Sequence, residues 1–308
     1  MQKHKSTQAY AHLASLITII IWGTTFISTK LLLHDFKPLE ILFFRFIMGL
    51  AILLIIYPKQ LKIKERKHEL YFAIAGFFGV TLYYLLENIA LTYTSASSVG
   101  VILSVSPFFT AILTVFLFKS KKSENLNASF FIGFALAITG IILVSIHRDD
   151  FTFNPKGSLL ALTASFIWAV YSLITKKIST FGYNIIQTTR RIFAYGVAFI
   201  IPPVLLSGFN LNLSRLADLS NLLNMLYLGI GASALCFVTW NFALKQLGAV
   251  KTSTYIYMVP VITVTTAAIV LKEALTPAAI AGTILTIAGL MISEFKFKSL
   301  KRSDKNGY

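Results

Sequence analysis

Apolar positions in this chain come in long unbroken runs, not in the alternating or one-faced patterns of a soluble fold. Ten stretches carry few charges, at about 12–33, 39–57, 70–92, 95–118, 127–146, 157–176, 185–206, 222–244, 250–271 and 277–295. About 20 residues at ~1.5 Å each cross the ~30 Å hydrocarbon layer of a bilayer, so each run predicts a transmembrane helix. The connections are short, the longest being 207–221. The first run follows Lys3 and Lys5, as a signal peptide would. It is too long for a signal h-region and no small-residue cleavage site follows, so it reads as the first span.

Composition agrees with lipid as the solvent. Of 308 residues 56% are hydrophobic and 13% charged, against roughly 25% charged in a soluble domain. The net charge of +16 would suit nucleic acid, but the basic residues form no stripe and sit in short loops. With the N-terminus inside, 19 Lys and Arg fall in cytoplasmic segments and 6 in outer ones. That bias predicts cytoplasmic termini in a multi-pass protein of the cell membrane, with anionic lipid, not nucleic acid, as the partner of the basic loops. Cys236 stands alone and the five histidines lie at or near loops, so neither a disulfide nor a metal site is expected. Without a phosphate-cradling loop or a nucleophile elbow, the chain predicts no cofactor, no ATP hydrolysis and no enzyme.

An internal repeat organises the ten runs. Trp22, Lys30 and Arg45 recur at an offset of 146 as Trp168, Lys176 and Arg191. The run E-N-I-A-L at 87–91 matches W-N-F-A-L at 240–244 at an offset of 153, and Pro107 matches Pro260 at the same offset. Gly133 and Gly140 match Gly282 and Gly289 at an offset of 149. The expectation is two repeats, 1–146 and 147–308, the second ending in a cytoplasmic tail. Five helices per repeat is an odd number, so the second enters the membrane from the opposite side. The expected fold is therefore all-α and integral to the membrane, with ten transmembrane helices in two inverted five-helix repeats around a central cavity.

The residues that carry a family resemblance lie in the same places: I-I-I-W-G-T-T-F-I (19–27), S-V-S-P-F-F-T-A-I-L-T-V-F-L (104–117), M-V-P-V-I-T-V-T-T-A-A-I-V-L-K-E (258–273) and G-T-I-L-T-I-A-G-L-M-I (282–292). They resemble the drug/metabolite transporter superfamily in its ten-helix EamA type, over about 12–295. The resemblance implies a central cavity and movement of small organic metabolites, often outward. One departure is visible: Glu273 fits the family pattern, but its repeat mate is Ser120.

Glu87 is the only acid well inside a span, and a carboxylate in lipid is costly unless paired or neutral. Arg45 is expected at matching depth. The two are either a fixed pair that aligns helices 2 and 3, or a protonation site that couples transport to protons. Arg190 and Arg191, like Lys30 and Lys176, are expected to snorkel to the membrane faces. Trp22, Tyr84, Trp168, Tyr171, Trp240, Tyr255 and Tyr257 are candidates for an aromatic cavity wall, and the repeat mates Asn88 and Asn241 for its polar handles; helix packing is the competing account of each. Pro107 and Pro260, expected in mid-helix, would kink helices 4 and 9 as a hinge or gate.

The expected function is a secondary transporter of a small organic metabolite, such as an amino acid or related compound. It would act outward by alternating access, with protons as the candidate coupling ion, as monomer or dimer. A membrane enzyme acting on lipid would want paired acids or histidines at one interface, which the sequence lacks. A non-transporting scaffold would need neither mirrored tryptophans nor mirrored prolines. A reporter fused after residue 308 is expected to score as cytoplasmic; an outside reading would overturn the inverted arrangement.

Overall fold

The computed structural model describes residues 2–118, 128–145, 155–207 and 213–294, and those residues are helical with short turns. Eight helices are long and apolar enough to cross a membrane: α1 (Thr7–Leu32), α2 (Pro38–Ile56), α3 (Arg66–Tyr93), α4 (Ala96–Phe116), α6 (Pro155–Ser179), α7 (Ile185–Leu206), α8 (Leu219–Leu247) and α9 (Ala249–Val270). Two shorter apolar helices, α5 (Ala128–Val144) and α10 (Pro277–Ser293), complete the set among the described residues. Large apolar side chains such as Ile55, Phe116, Phe131, Leu205 and Ile269 are exposed on the outside of the bundle. In a multi-pass membrane protein that surface faces acyl chains rather than water.

Helix starts follow ordinary capping chemistry. Pro38 opens α2, where a missing N–H costs nothing, and the Lys37 N–H donates back to Glu40 Oε2 at 2.8 Å. Asn184 and Asp218 cap α7 and α8 with their side-chain oxygens. The packing is reciprocal: α1 lies on α8 and α9, α6 lies on α3 and α4, α2 faces α7 and α4 faces α9.

The tightest seam is between α5 and α10. A Cβ at Gly282 would come within 2.6 Å of the Gly140 carbonyl oxygen, and one at Gly133 would strike that of Gly289. Lipid supplies no hydrophobic drive for helix association, so close backbone approach over small residues supplies it instead.

Four irregularities break the α-helical regularity. The hydrogen bonding widens to i→i+5 over Phe77–Leu82 in α3 and over Tyr227–Leu235 in α8. In α4 a turn at 104–105 separates Ala96–Leu103 from Ser106–Phe118. In α9 a 3₁₀ stretch, Thr254–Met258, precedes Val259–Val270. Pro107 and Pro260 therefore do not kink continuous helices, as the sequence suggested. Each sits in the first turn of a new helical segment, where its fixed φ is already helical and no N–H is wanted. Ser120 lies outside the described residues.

Gly140→Val and Gly282→Val are each expected to lower stability by about 1–3 kcal/mol, through forced separation of α5 and α10. Gly231→Ala, whose Cβ would meet nothing closer than 3.7 Å, is the control and should leave the thermal midpoint in detergent unchanged.

Candidate functional site

A cavity lies between α1, α3, α4, α6 and α9. Its wall is Ile19, Trp22, Thr25 and Phe26 from α1, Tyr83, Tyr84 and Glu87 from α3, Leu103 and Ser106 from α4, Trp168 from α6, and Ile256 and Val259 from α9. The helical spacing is readable: 19, 22, 25 and 26 share one face of α1, and 83, 84 and 87 share one face of α3. The interruptions of α4 and α9 both lie in this wall, since Leu103 and Ser106 flank one and Ile256 lies in the other.

The three tryptophans of the chain meet here. Trp22 stands edge-on to Trp168 at a centroid distance of 5.0 Å and tilted against Trp240 at 5.0 Å. Trp168 extends the cluster to Tyr83 at 4.9 Å and Tyr171 at 5.0 Å. The Trp22 indole N–H donates to the Ala232 carbonyl at 2.9 Å, inside the widened turns of α8. Such turns leave backbone carbonyls available to side-chain donors.

The sequence's candidates divide into two groups. Trp22, Tyr84, Glu87 and Trp168 line the cavity. Trp240 and Tyr171, both fully buried, back the tryptophan cluster. The asparagines are structural in their contacts: Asn88 Nδ2 donates to the Pro38 carbonyl at 3.0 Å, and Asn241 Nδ2 donates to Thr189 Oγ1 at 3.0 Å. Tyr255 lies away from the wall, with its hydroxyl 2.5 Å from His12 Nδ1, and joins α1 to α9; Tyr257 packs half-buried against the core. Pro107 and Pro260 are buried beside the lining residues Ser106 and Val259.

Arg45 and Glu87 do not form an ion pair. Both are buried, at 0% and 1% exposure. Arg45 Nε donates to Ser233 Oγ at 3.1 Å, and its guanidinium carbon lies 4.1 Å from the Tyr84 ring centroid. Both of its terminal nitrogens and Glu87 Oε1 lack hydrogen-bond partners. Tyr84, which lines the cavity while Arg45 does not, presents its ring to the guanidinium.

The other basic residues, expected to snorkel, have their charged ends bonded within the bundle. Lys30 Nζ donates to the carbonyls of Leu91 and Thr94 at 2.5 and 2.9 Å, and Lys176 Nζ to those of Leu244 and Lys245 at 3.1 and 3.3 Å. Each ammonium thus caps the C-terminal end of a neighbouring helix, α3 or α8, where unpaired carbonyls concentrate negative partial charge. Arg190 donates to the Tyr57 and Lys59 carbonyls at 2.5 and 2.7 Å, and Arg191 pairs with Glu69.

Sequence reasoning passed over Tyr83 and Ser106 in the wall, and over Glu273 as a cap. The Glu273 carboxylate accepts from the Ala96 and Ser97 N–H groups at 2.8 and 3.2 Å and from Ser97 Oγ at 2.6 Å. Tyr83 was discoverable as the residue one turn before Glu87, and Ser106 as the neighbour of Pro107. Trp22→Phe keeps an aromatic ring but removes the bond to Ala232 together with part of the packing against Trp168 and Trp240; a loss of about 1–3 kcal/mol is expected in detergent unfolding.

A family model described as "EamA-like transporter family" matches residues 9–146 and again 155–295. A protein of Salmonella typhimurium named "Probable amino-acid metabolite efflux pump" is 26% identical, over 95% of this chain and 97% of its own length. A "Probable terminal-alkyne amino-acid exporter" of Streptantibioticus cattleyicolor is 23% identical, over 91% of each chain. An "Uncharacterized transporter" of Archaeoglobus fulgidus is 29% identical, over 92% of this chain and 97% of its own. A crystal structure at 20% identity shares the fold with a TM-score of 0.64, over 93% of this chain and 96% of the other. With a central aromatic cavity in a bundle of apolar helices, and a family match over most of its length, the chain is a multi-pass membrane transporter and belongs to the EamA-like transporter family.

Proposed function

We propose that this transporter exports a small organic metabolite, such as an amino acid or a related compound, by alternating access across the cell membrane. The observation that carries the reading is the placement of both helix interruptions, in α4 and α9, in the wall of one aromatic cavity. Non-helical backbone at membrane depth is tolerated where it borders a cavity, and hinges of moving helices are built there. The printed names of relatives from Salmonella typhimurium and Streptantibioticus cattleyicolor favour amino acids and the outward direction.

In this reading all ten helices span, as two inverted halves, 1–146 and 147–308, with cytoplasmic termini. Exchanging the halves turns the packing of α1 on α8 and α9 into that of α6 on α3 and α4. It also exchanges the widened turns of α3 and α8, and the caps made by Lys30 and Lys176. Two such halves present two equivalent gates, and swapping their states moves the cavity from one side to the other. Glu87 is the proton site, as the acid of the cavity wall; Arg45 and Tyr84 set its surroundings.

Counterflow in proteoliposomes against a panel of amino acids and amines is expected to find exchange of at least one solute, faster under a pH gradient in the native protein and indifferent to it in Glu87→Gln. Pro107→Ala and Pro260→Ala should slow exchange more than they lower folded yield. An absence of exchange across the panel would end the transporter assignment for this cavity.

A further inference from the structure

We propose that the cavity selects its substrate by a free ammonium group, with Glu87 Oε1 as the counter-ion, Ser106 Oγ as a second acceptor, and the rings of Trp22, Trp168 and Tyr83 as the surrounding wall. The proposal rests on the cavity being the transport site and says what that site recognises.

Two buried polar atoms in the wall have no partner. Glu87 Oε1 and Ser106 Oγ accept and donate no hydrogen bond, although their residues are 1% exposed each. A carboxylate is an acceptor only, and leaving an acceptor oxygen unsatisfied in a water-poor interior is costly. What Glu87 lacks is a donor. The buried cations do not supply it: Arg45 is held by Ser233 and the Tyr84 ring, and Lys30 by the carbonyls that end α3. The Tyr83 hydroxyl stands beside the same carboxyl but leaves Oε1 unpartnered, and that oxygen is open to a donor on the cavity's occupant. An ammonium group offers three N–H bonds, enough for Glu87 Oε1 and Ser106 Oγ together.

The walls suit the same group. Aromatic rings attract cations through their quadrupoles, most strongly when both are desolvated. Trp22 and Trp168 are set at 88° to one another, and Tyr83 closes on Trp168 at 4.9 Å, so three electron-rich rings gather beside the carboxylate. The rest of the wall, including Ile19, Leu103 and Val259, is apolar and takes a hydrocarbon side chain. A substrate with an anionic group and no amine would face Glu87 with nothing to neutralise either charge.

All three tryptophans belong to this cluster, so intrinsic fluorescence of the full-length protein in nanodiscs reports occupancy. The probes are L-leucine, its decarboxylated amine 3-methylbutan-1-amine, and N-acetyl-L-leucine, which keeps the side chain and loses the ammonium. Leucine and the amine are expected to shift the emission saturably, with N-acetyl-leucine at least about tenfold weaker. In Glu87→Gln that preference should fall by about ten- to a hundredfold, the worth of one charge-assisted hydrogen bond. Glu87→Asp, which keeps the charge, should retain the preference, and Ser106→Ala should weaken amine binding severalfold if Glu87→Gln does not fold. Equal binding of leucine and N-acetyl-leucine, a preference unaltered in Glu87→Gln, or counterflow confined to solutes without an amine would overturn the ammonium assignment while leaving transport standing. Silence of all three probes, together with no counterflow of any solute, would take down the transport-site reading as well.

Discussion

Everything in this structure answers to one shortage: inside a bilayer no water is available to satisfy a backbone N–H or carbonyl. Continuous helices meet the shortage internally, and eight of those described here are long enough to carry that solution from face to face. Where a helix is interrupted or ends, another part of the chain has to supply the missing bond. Lys30 and Lys176 bond the last carbonyls of α3 and α8, Glu273 bonds the first N–H groups of α4, and the Trp22 indole bonds the Ala232 carbonyl in the widened turns of α8. Long polar side chains in this bundle are used first to complete backbone, and only the remainder are left for chemistry.

That remainder is small and concentrated. Arg45 and Glu87 are buried opposite charges with unmet hydrogen-bonding capacity that form no ion pair, and the Tyr84 ring takes the cation on its face. Had they met as a bidentate pair, the charges would be consumed by one another and the cavity would be an apolar slot. Kept apart, the carboxylate remains available to the space that it lines.

Position along each apolar run was legible in the sequence; direction around the helix axis was not. Counting residues from the ends of the apolar runs put Arg45 and Glu87 at one level, and the exact repeat spacings marked Trp22 with Trp168 and Pro107 with Pro260 as partners. Whether two side chains at one level face each other depends on helix rotation, and the widened turns of α3 alter that rotation just before Glu87. Nothing in the hydrophobicity of F-F-G-V-T-L (77–82) announces the change. Backbone carbonyls are equally silent in a side-chain pattern, which is why the carbonyl partners of the lysines were not foreseen. Proline, by contrast, was legible as a breaker, but its place at the start of a new helical segment depends on where the preceding turn ends.

The widened turns carry a consequence for how such a chain tolerates length changes. Removing one residue from 77–82 would leave the apolar run long enough to cross the bilayer and let the segment return to ordinary α-helical winding. A widened turn is one extra residue taken up within the helix, so the segments on either side would keep nearly their present faces. Tyr83, Tyr84 and Glu87 would stay on the cavity wall. The same deletion in the regular winding of 83–87 would turn the residues on its two sides by about 100° relative to one another, so in α3 the widened turns mark the stretch where a single-codon deletion costs the binding face least.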